Sequence, residues 1–369
     1  MFDRRRLQFR PLSERKNRVD ITREAFSSDT PLRAIDEPSQ RAVDEAATAI
    51  RNARNLSAPV VLAFGAHTIK NGAGPLLSQL AHSGWITHFA TNGAAIIHDW
   101  EFAYQGTSSE HVEENVASGQ FGLWEETGYY LNLAIAIGAY EGLGYGESVG
   151  SMVARDGVEI PSRHALAREV TDSVVDCPAR SAAAGDLLQL IDIFNLSPGF
   201  RSVRHPYKQF GFQAAAWRMG VPLTGHPMFG HDIIYCHPMN QGAAIGRTAE
   251  RDFLTFADAI SGLENGVYLS VGSAVMSPMI FEKSFSMAQN LALQAGGRIA
   301  NHKIYVVDLL PVNRDWRKAG EPGEDDPTYY LRFLKTFSRM GGTMEYIAAD
   351  NRLFLQHLYH ALQELNLST

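Results

Sequence analysis

The sequence predicts a doubly wound α/β fold built on a largely parallel sheet, and three observations predict it. Short apolar runs without alternation, such as residues 59–64, have the pattern of strands covered on both faces. Segments with helical periodicity follow the strands repeatedly, as parallel pairing requires. Several strands end in small or polar residues: Gly65-Ala66, Asn92-Gly93-Ala94, Gly272-Ser273-Ala274 and Ala349-Asp350. In open α/β sheets that edge is where ligands bind.

The chain has 369 residues and is 45% hydrophobic, enough for a large core. Residues 1–39 are expected to form an N-terminal arm and residues 40–369 one α/β domain. Basic side chains crowd the arm (Arg4, Arg5, Arg6, Arg10, Arg15, Lys16, Arg18), while Leu7, Phe9 and Leu12 give it apolar anchors. An arm salt-bridged to an acidic neighbouring subunit is expected ahead of one that grips a polyanion. Val43, Ala46, Ala47 and Ile50 recur at helical spacing and lead into the strand at 59–64. Pro75 and Gly84 bracket a helix carrying Leu76, Leu77, Leu80 and Ala81, and a second strand follows at 86–90.

Ser108-Ser109-Glu110 is expected to cap an acidic helix with Glu113 and Glu114. Residues 125–140 read as a mostly buried helix, after which Gly142, Gly144, Gly146 and Gly150 loosen the chain. That glycine-rich piece has no Lys-Ser/Thr ending and so does not read as a phosphate-cradling P-loop. Two helices are expected within 163–195, another over 206–219, then a strand at 221–224 and a loop over 225–232 leading into 233–235. Beyond it the pattern gives a helix at 253–260, a strand at 267–271, a helix at 281–295 and a strand at 304–307. An acidic loop over 313–326, a helix at 327–340, a strand at 344–348 and a helix at 353–365 complete the chain.

A net charge of −7 gives no support to a nucleic-acid partner. No run of 18 apolar residues is present, so no membrane span is expected. No cleavable leader is expected either, because no apolar stretch stands behind Met1-Phe2-Asp3-Arg4-Arg5-Arg6. Cys177 and Cys236 make no disulfide framework and suit a reducing, cytoplasmic setting.

Small residues at strand ends let backbone N–H groups approach a phosphate, and an acid there accepts from ribose hydroxyls. The same glycines also serve simply as turns, and no G-x-G-x-x-G fingerprint is present. His226, His231 and His237, with Asp232 and Cys236, invite a zinc reading, but their spacing fits no standard site. Histidines with satisfied loop partners are the better expectation, and no metal is assigned. Lys335 lies in the aromatic run Tyr329-Tyr330-Leu331-Arg332-Phe333-Leu334. Desolvated there, its amine would be available for imine chemistry; on an amphipathic helix it would instead reach for water.

In this order the pieces resemble the deoxyhypusine synthase family over residues 40–366. Phe64-Gly65-Ala66-His67-Thr68 is similar to its first nucleotide-binding loop, and Thr91-Asn92-Gly93-Ala94-Ala95 to its second. Val221-Pro222-Leu223-Thr224 with Gly230-His231-Asp232 resembles its Pro-Ala-Leu-Thr strand and following Gly-Asp. Gly272-Ser273-Ala274 falls at its triple-glycine strand end, and Ile347-Ala348-Ala349-Asp350 resembles its Val-Tyr-Ala-Asp. Pro327 precedes Lys335 by the step that separates proline from the family's catalytic lysine. The resemblance implies a homotetramer with NAD between subunits. Ala66, His67, Asn92, Gly93, Ala94, Gly272, Ser273, Ala349 and Asp350 would contact NAD, Lys335 would hold an imine, and Asp232 would face a cationic amine.

Departures from the family alter the substrate. Ile97-His98 replaces an acidic pair, Tyr329 stands where a substrate-binding glutamate is expected, and Phe333 replaces a tryptophan. Burying spermidine needs counter-charges, so a different amine, amino acid or guanidino compound is expected. His98 is a candidate proton acceptor. Three functions follow: an NAD-dependent amine enzyme working through a lysine-bound imine, an NAD-dependent deaminase or cyclodeaminase without that adduct, and a non-catalytic nucleotide-binding oligomer.

Overall fold

Runs of aliphatic residues buried on both faces form the centre of a six-stranded sheet. In the computed structural model, which describes residues 2–312 and 314–367, the strands are β1 (Val60–Phe64), β2 (His88–Asn92), β3 (Leu223–His226), β4 (Val267–Val271), β5 (Lys303–Asp308) and β6 (Thr343–Ala348). Their order across the sheet is 3-2-1-4-5-6. β1 pairs in parallel with both β2 and β4, and β5 in parallel with both β4 and β6. Val60 lies opposite Val267 and Phe64 opposite Val271, so the two central strands end level with each other. This order reverses direction between β1 and β4, which is the switch point of a Rossmann-type sheet.

The chain divides into two compact units. The second comprises residues 25–95, 219–224 and the described residues from 253 onward. On one face of its sheet, Tyr268 of β4, Ile304 and Val306 of β5 and Met344 of β6 pack with Phe281, Phe285, Phe333, Leu334 and Phe337 in one apolar cluster. Tyr268 and Phe281 meet at 4.4 Å between ring centroids. The helix Glu37–Asn55 buries Val43, Ala46, Ala47 and Ile50, and Asp36 caps it by accepting from Ser39 N at 2.8 Å. It packs along the C-terminal helix Asn351–Leu367.

The first unit comprises residues 2–24, 96–218 and 225–252. It holds the helices Glu125–Glu141, Tyr145–Arg155, Arg163–Asp172 and Pro178–Phe194 and two antiparallel ribbons. One ribbon pairs Asn17–Asp20 with Thr107–Glu110, and the other pairs Gly157–Ile160 with Gly199–Ser202. The arm reaches its own chain rather than an acidic neighbour at two of its arginines. Arg15 pairs with Glu101, and Arg4 donates to Tyr235 O, Asn240 Oδ1 and Asn240 O.

Several expected elements are corrected. Residues 108–110 belong to a strand, and the acidic helix starts beyond them at Val112. Ser108 and Glu110 bond side chains and not the N–H groups of a helix start: Ser108 Oγ donates to Glu101, and Glu110 accepts from Asn115 Nδ2 and Trp124 Nε1. Of the glycines after residue 141, Gly146 and Gly150 lie inside the helix Tyr145–Arg155, while Gly142 ends the preceding helix at a φ of +79° and Gly144 is the N-cap of this one. Gly146 N donates to Asp252 there, and Gly150 lies against the Gln213 carbonyl.

The helix expected over 206–219 starts at Gln213, where the Asp99 carboxylate accepts from Phe212 N and Gln213 N and supplies the cap. Residues 233–236, which follow the loop over 225–232, form a 3-10 turn. The helix expected over 327–340 is three short pieces, Pro327–Tyr330, Arg332–Lys335 and Phe337–Arg339. Aromatic and β-branched residues are poor helix formers, and here Phe333 and Phe337 are spent on the core. Of the acidic loop over 313–326, Asn313 lies outside the described residues, and Trp316–Ala319 forms a short helix.

Candidate functional site at the β1–β4 switch point

β1 ends at Phe64, and the chain turns through Gly65 into the short helix Ala66–Lys70, which no side chain caps. β4 ends at Val271, and Gly272 takes a φ of +57°, a conformation glycine adopts without penalty. Gly65 N donates to Val271 O at 3.2 Å. A Cβ on Gly65 would sit 2.1 Å from the Gly272 carbonyl oxygen, and one on Gly272 would sit 2.1 Å from Asn351 Nδ2. The ends of β1 and β4 and the residue after Asp350 are thus in contact through two glycines. Thr91 Oγ1 donates to Phe64 O at 2.8 Å and holds the end of β2 beside them.

The polar side chains at these strand ends are committed to helix starts. Asn92 Oδ1 accepts from Ala95 N at 2.9 Å, Ser273 Oγ from Ser277 N at 3.1 Å, and Asp350 Oδ1 from Arg352 N at 2.8 Å. Thr68 N donates to Gly65 O at 3.1 Å, while the Ala66 and His67 N–H groups have no intrahelical partner and Gly65 offers no side-chain cap. That donor set, beside a turn narrow enough to exclude a side chain, fits the phosphates of a dinucleotide. Ala66, His67, Asn92, Gly93, Ala94, Gly272, Ser273, Ala349 and Asp350 all lie in the second unit. Asn351 was not anticipated, although it directly follows the Ala349-Asp350 motif.

Lys335, also in the second unit, ends the piece Arg332–Lys335. Its side chain is 18% exposed. The Nζ atom lies 3.2 Å from the centroid of the Tyr329 ring and 3.8 Å from Glu321 Oε1. Both neighbours stabilise a cation. Neither partner of Lys335 was anticipated in that role from the sequence.

His98 and Asp232 fall in the first unit. His98 Nδ1 is 2.7 Å from Ser108 Oγ, whose hydroxyl donates to Glu101. Burial raises the Glu101 carboxyl pKa, but the Arg15 guanidinium and the Ser108 hydroxyl outweigh it and leave the pKa lowered. Asp232 is 8% exposed, its Oδ2 has no partner among the described residues, and burial pushes its pKa up to about 7. With Tyr235, whose hydroxyl is equally unpartnered, it lines an open groove of about 530 Å³ walled by Phe2, Leu7 and Phe121.

His237 Nδ1 accepts from Met239 N, and its ring packs on Phe9 at 4.8 Å. Among the described residues no group of three or more His, Cys, Asp or Glu side chains is placed to hold a metal. No described helix is long and apolar enough to cross a membrane.

Strand order and switch-point turns define an α/β protein of Rossmann type. No protein-family model matches the chain, and no curated protein matches it. Among solved structures it is similar to AgrE in a ternary complex with ornithine and NAD+, at 14% identity and a TM-score of 0.42 over 92% of this chain and 35% of that one. It is similar to apo ArgZ, an arginine dihydrolase from the ornithine–ammonia cycle in cyanobacteria, at 14% identity and 0.41 over 90% of this chain and 34% of that one. A conserved putative LOR/SDH protein from Methanococcus maripaludis S2 matches at 12% identity and 0.41 over 92% of this chain and 70% of that one. The chain spans about a third of the length of AgrE and ArgZ. A likeness at this level assigns no ligand and no residue role here.

Proposed function

We propose that the chain is an NAD-dependent enzyme that oxidises an amine. The observation that carries the reading is the contact of Gly65 and Gly272 where the strand order reverses, beside the uncapped helix start at Ala66. The backbone N–H groups of Ala66 and His67 would hold the dinucleotide phosphates. Asn92, Gly93, Ala94, Gly272, Ser273, Ala349 and Asp350 would complete the cradle. When bound, NAD supplies a hydride acceptor. The amine half of the reading rests on the family resemblance around Asp232 and Lys335.

A protonated amine has no lone pair to support hydride loss, so a base must first take its proton. His98, its ring oriented by Ser108, is the proposed acceptor, and Asp232 the proposed counter-charge. The homotetramer and the reducing, cytoplasmic setting belong to the same proposal and follow from the resemblance and the sparse cysteines.

A second reading is favoured by one observation. Lys335 Nζ lies over the Tyr329 ring and beside Glu321, so both neighbours already engage it. Deamination or ring closure without a covalent lysine needs no free amine there.

Native mass spectrometry for carried-over dinucleotide, then thermal titration of the stripped protein with NAD, tests the proposal. Ligand at about 100 times its dissociation constant adds roughly 2.7 kcal/mol of stability. No bound dinucleotide and no NAD-dependent shift would overturn it.

A further inference from the structure

The groove of the first unit has apolar walls, formed by Phe2, Leu7, Val116, Phe121 and Leu123, and its volume of about 530 Å³ is in the range of small-molecule pockets. Asp232 lines it and is 8% exposed. An aspartate directly before a helical turn ordinarily accepts from the backbone of that turn. Asp232 stands in that position before Ile233–Cys236 and makes no such bond. A backbone hydrogen bond from Met228 reaches the carboxyl, and Oδ2 has no partner among the described residues. The Tyr235 and Tyr145 hydroxyls are buried without partners as well. Burial first, and then the Asp232 carboxylate, raises the pKa of both phenols, so the three oxygens share one neighbourhood. Phe229 holds the Tyr235 ring by stacking on it at 5.2 Å.

A carboxyl in such a setting is costly unless a donor or a cation reaches it. Among the described residues lining the groove, Arg4 is the one other charged group. Its guanidinium donates to Tyr235 O, Asn240 Oδ1 and Asn240 O and is spent on these neutral oxygens. The Cys236 thiol in the wall, raised chiefly by burial, also feels Arg4 and Glu110. Glu110 has both oxygens filled, by Gly122 N, Asn115 Nδ2 and Trp124 Nε1. One ammonium can therefore pair with Asp232. A second on the same molecule would meet apolar walls or Arg4.

We infer that this groove takes the substrate amine as a hydrophobic monoamine, a single ammonium on an alkyl or aryl body, with Asp232 as its counter-charge and the apolar walls against its body. This rests on the proposed role of Asp232 and narrows the amine to a class that leaves out polyamines.

The test titrates matched probes calorimetrically into the full chain. Hexylamine is set against hexamethylenediamine, which differs by a second ammonium, and phenethylamine against phenethyl alcohol, which lacks the charge. Each monoamine is expected to bind about tenfold or more tightly than its counterpart, the scale of one charged hydrogen bond. Asp232→Asn should erase the preference for phenethylamine over the alcohol. Phe121→Ser, at a position 39% exposed, should weaken both monoamines and keep that preference. Equal or tighter binding of the diamine or the alcohol, monoamine affinities unmoved by both variants, or no binding of either monoamine would overturn the inference. NAD titrated into the same samples reports separately: a chain that binds NAD without these preferences keeps the switch-point reading and loses this one. If Asp232→Asn does not fold, the probe pairs and Phe121→Ser still decide.

Discussion

Arg15 and Glu101 meet as a two-pronged pair inside the first unit. Arg15 Nη1 donates to Glu101 Oε1 at 2.8 Å and Nη2 to Oε2 at 2.6 Å, with both side chains 1% exposed. Thr127 Oγ1 donates to the same carboxylate at 3.0 Å, and Arg15 Nε donates to Asn17 Oδ1. Removing one member strands a buried charge. Arg15→Met or Glu101→Leu alone should cost about 3–5 kcal/mol, read as a lowered urea midpoint. The double variant should recover much of that loss, because neither charge is then left unpaired. Additive losses would show that the pair is not coupled.

The two glycines at the switch point should respond differently to alanine. At Gly65 the new methyl meets the Gly272 backbone, which cannot swing aside. Gly65→Ala should therefore cost more than about 2 kcal/mol and abolish the NAD-dependent thermal shift. At Gly272 the obstacle is the Asn351 amide, a side chain that can rotate, so about 1–2 kcal/mol of left-handed backbone penalty should dominate. Gly246→Ala is the control. It lies in the helix Gly242–Ser261 with nothing within 4 Å of its Cβ position, and should stabilise by about 0.5–1 kcal/mol.

What was legible in the sequence was set by local chemistry. β4 is found over the expected residues 267–271 because it is a short apolar run closed by glycine on both sides. The helix Gly242–Ser261 begins well before its expected start at residue 253, since the buried stripe of its first half, Ala244, Ile245, Thr248 and Asp252, is mostly small or polar and does not read as apolar periodicity. Ser108 and Glu110 look like a cap locally, yet they bond the side chains of Glu101 and Trp124, which lie outside the expected helix on either side. The strand-end glycines were visible as candidates. Their contact was not, because it depends on strand order, which no local pattern encodes.

Lys335 separates the two enzymatic readings. Lys335→Arg keeps a cation over Tyr329 but removes the nucleophilic amine. If chemistry proceeds without a covalent lysine, NAD reduction with substrate should stay within about threefold of the parent chain, a change of under roughly 1 kcal/mol in the barrier. Borohydride should then trap no adduct on the parent protein. Loss of at least a hundredfold in rate together with a trapped adduct at Lys335 would establish the imine route instead.

Stability should depend on pH through two opposed sets of buried groups. Burial lowers His88, His205, His237 and His302 to about 4, so from pH 6.5 down to 4 the unfolded chain binds protons the folded chain refuses, and stability falls with acid. Burial raises Asp232 to about 7 and Asp252 to about 8, the latter against hydrogen bonds from Gly146 N and Gly225 N. Their contribution is full below the ordinary aspartate value of 3.8 and is lost as pH rises through 7 and 8. Between pH 7.5 and 9 the buried histidines are close to neutral in both states, and these two carboxyls should govern the slope. Denaturant unfolding should therefore show a decline of about 1 kcal/mol across that window. Asp252→Asn should remove most of it, since the larger share of the titration lies at that carboxyl. A profile that is flat in the parent, or equally steep in the variant, would show that Asp252 keeps its charge when folded.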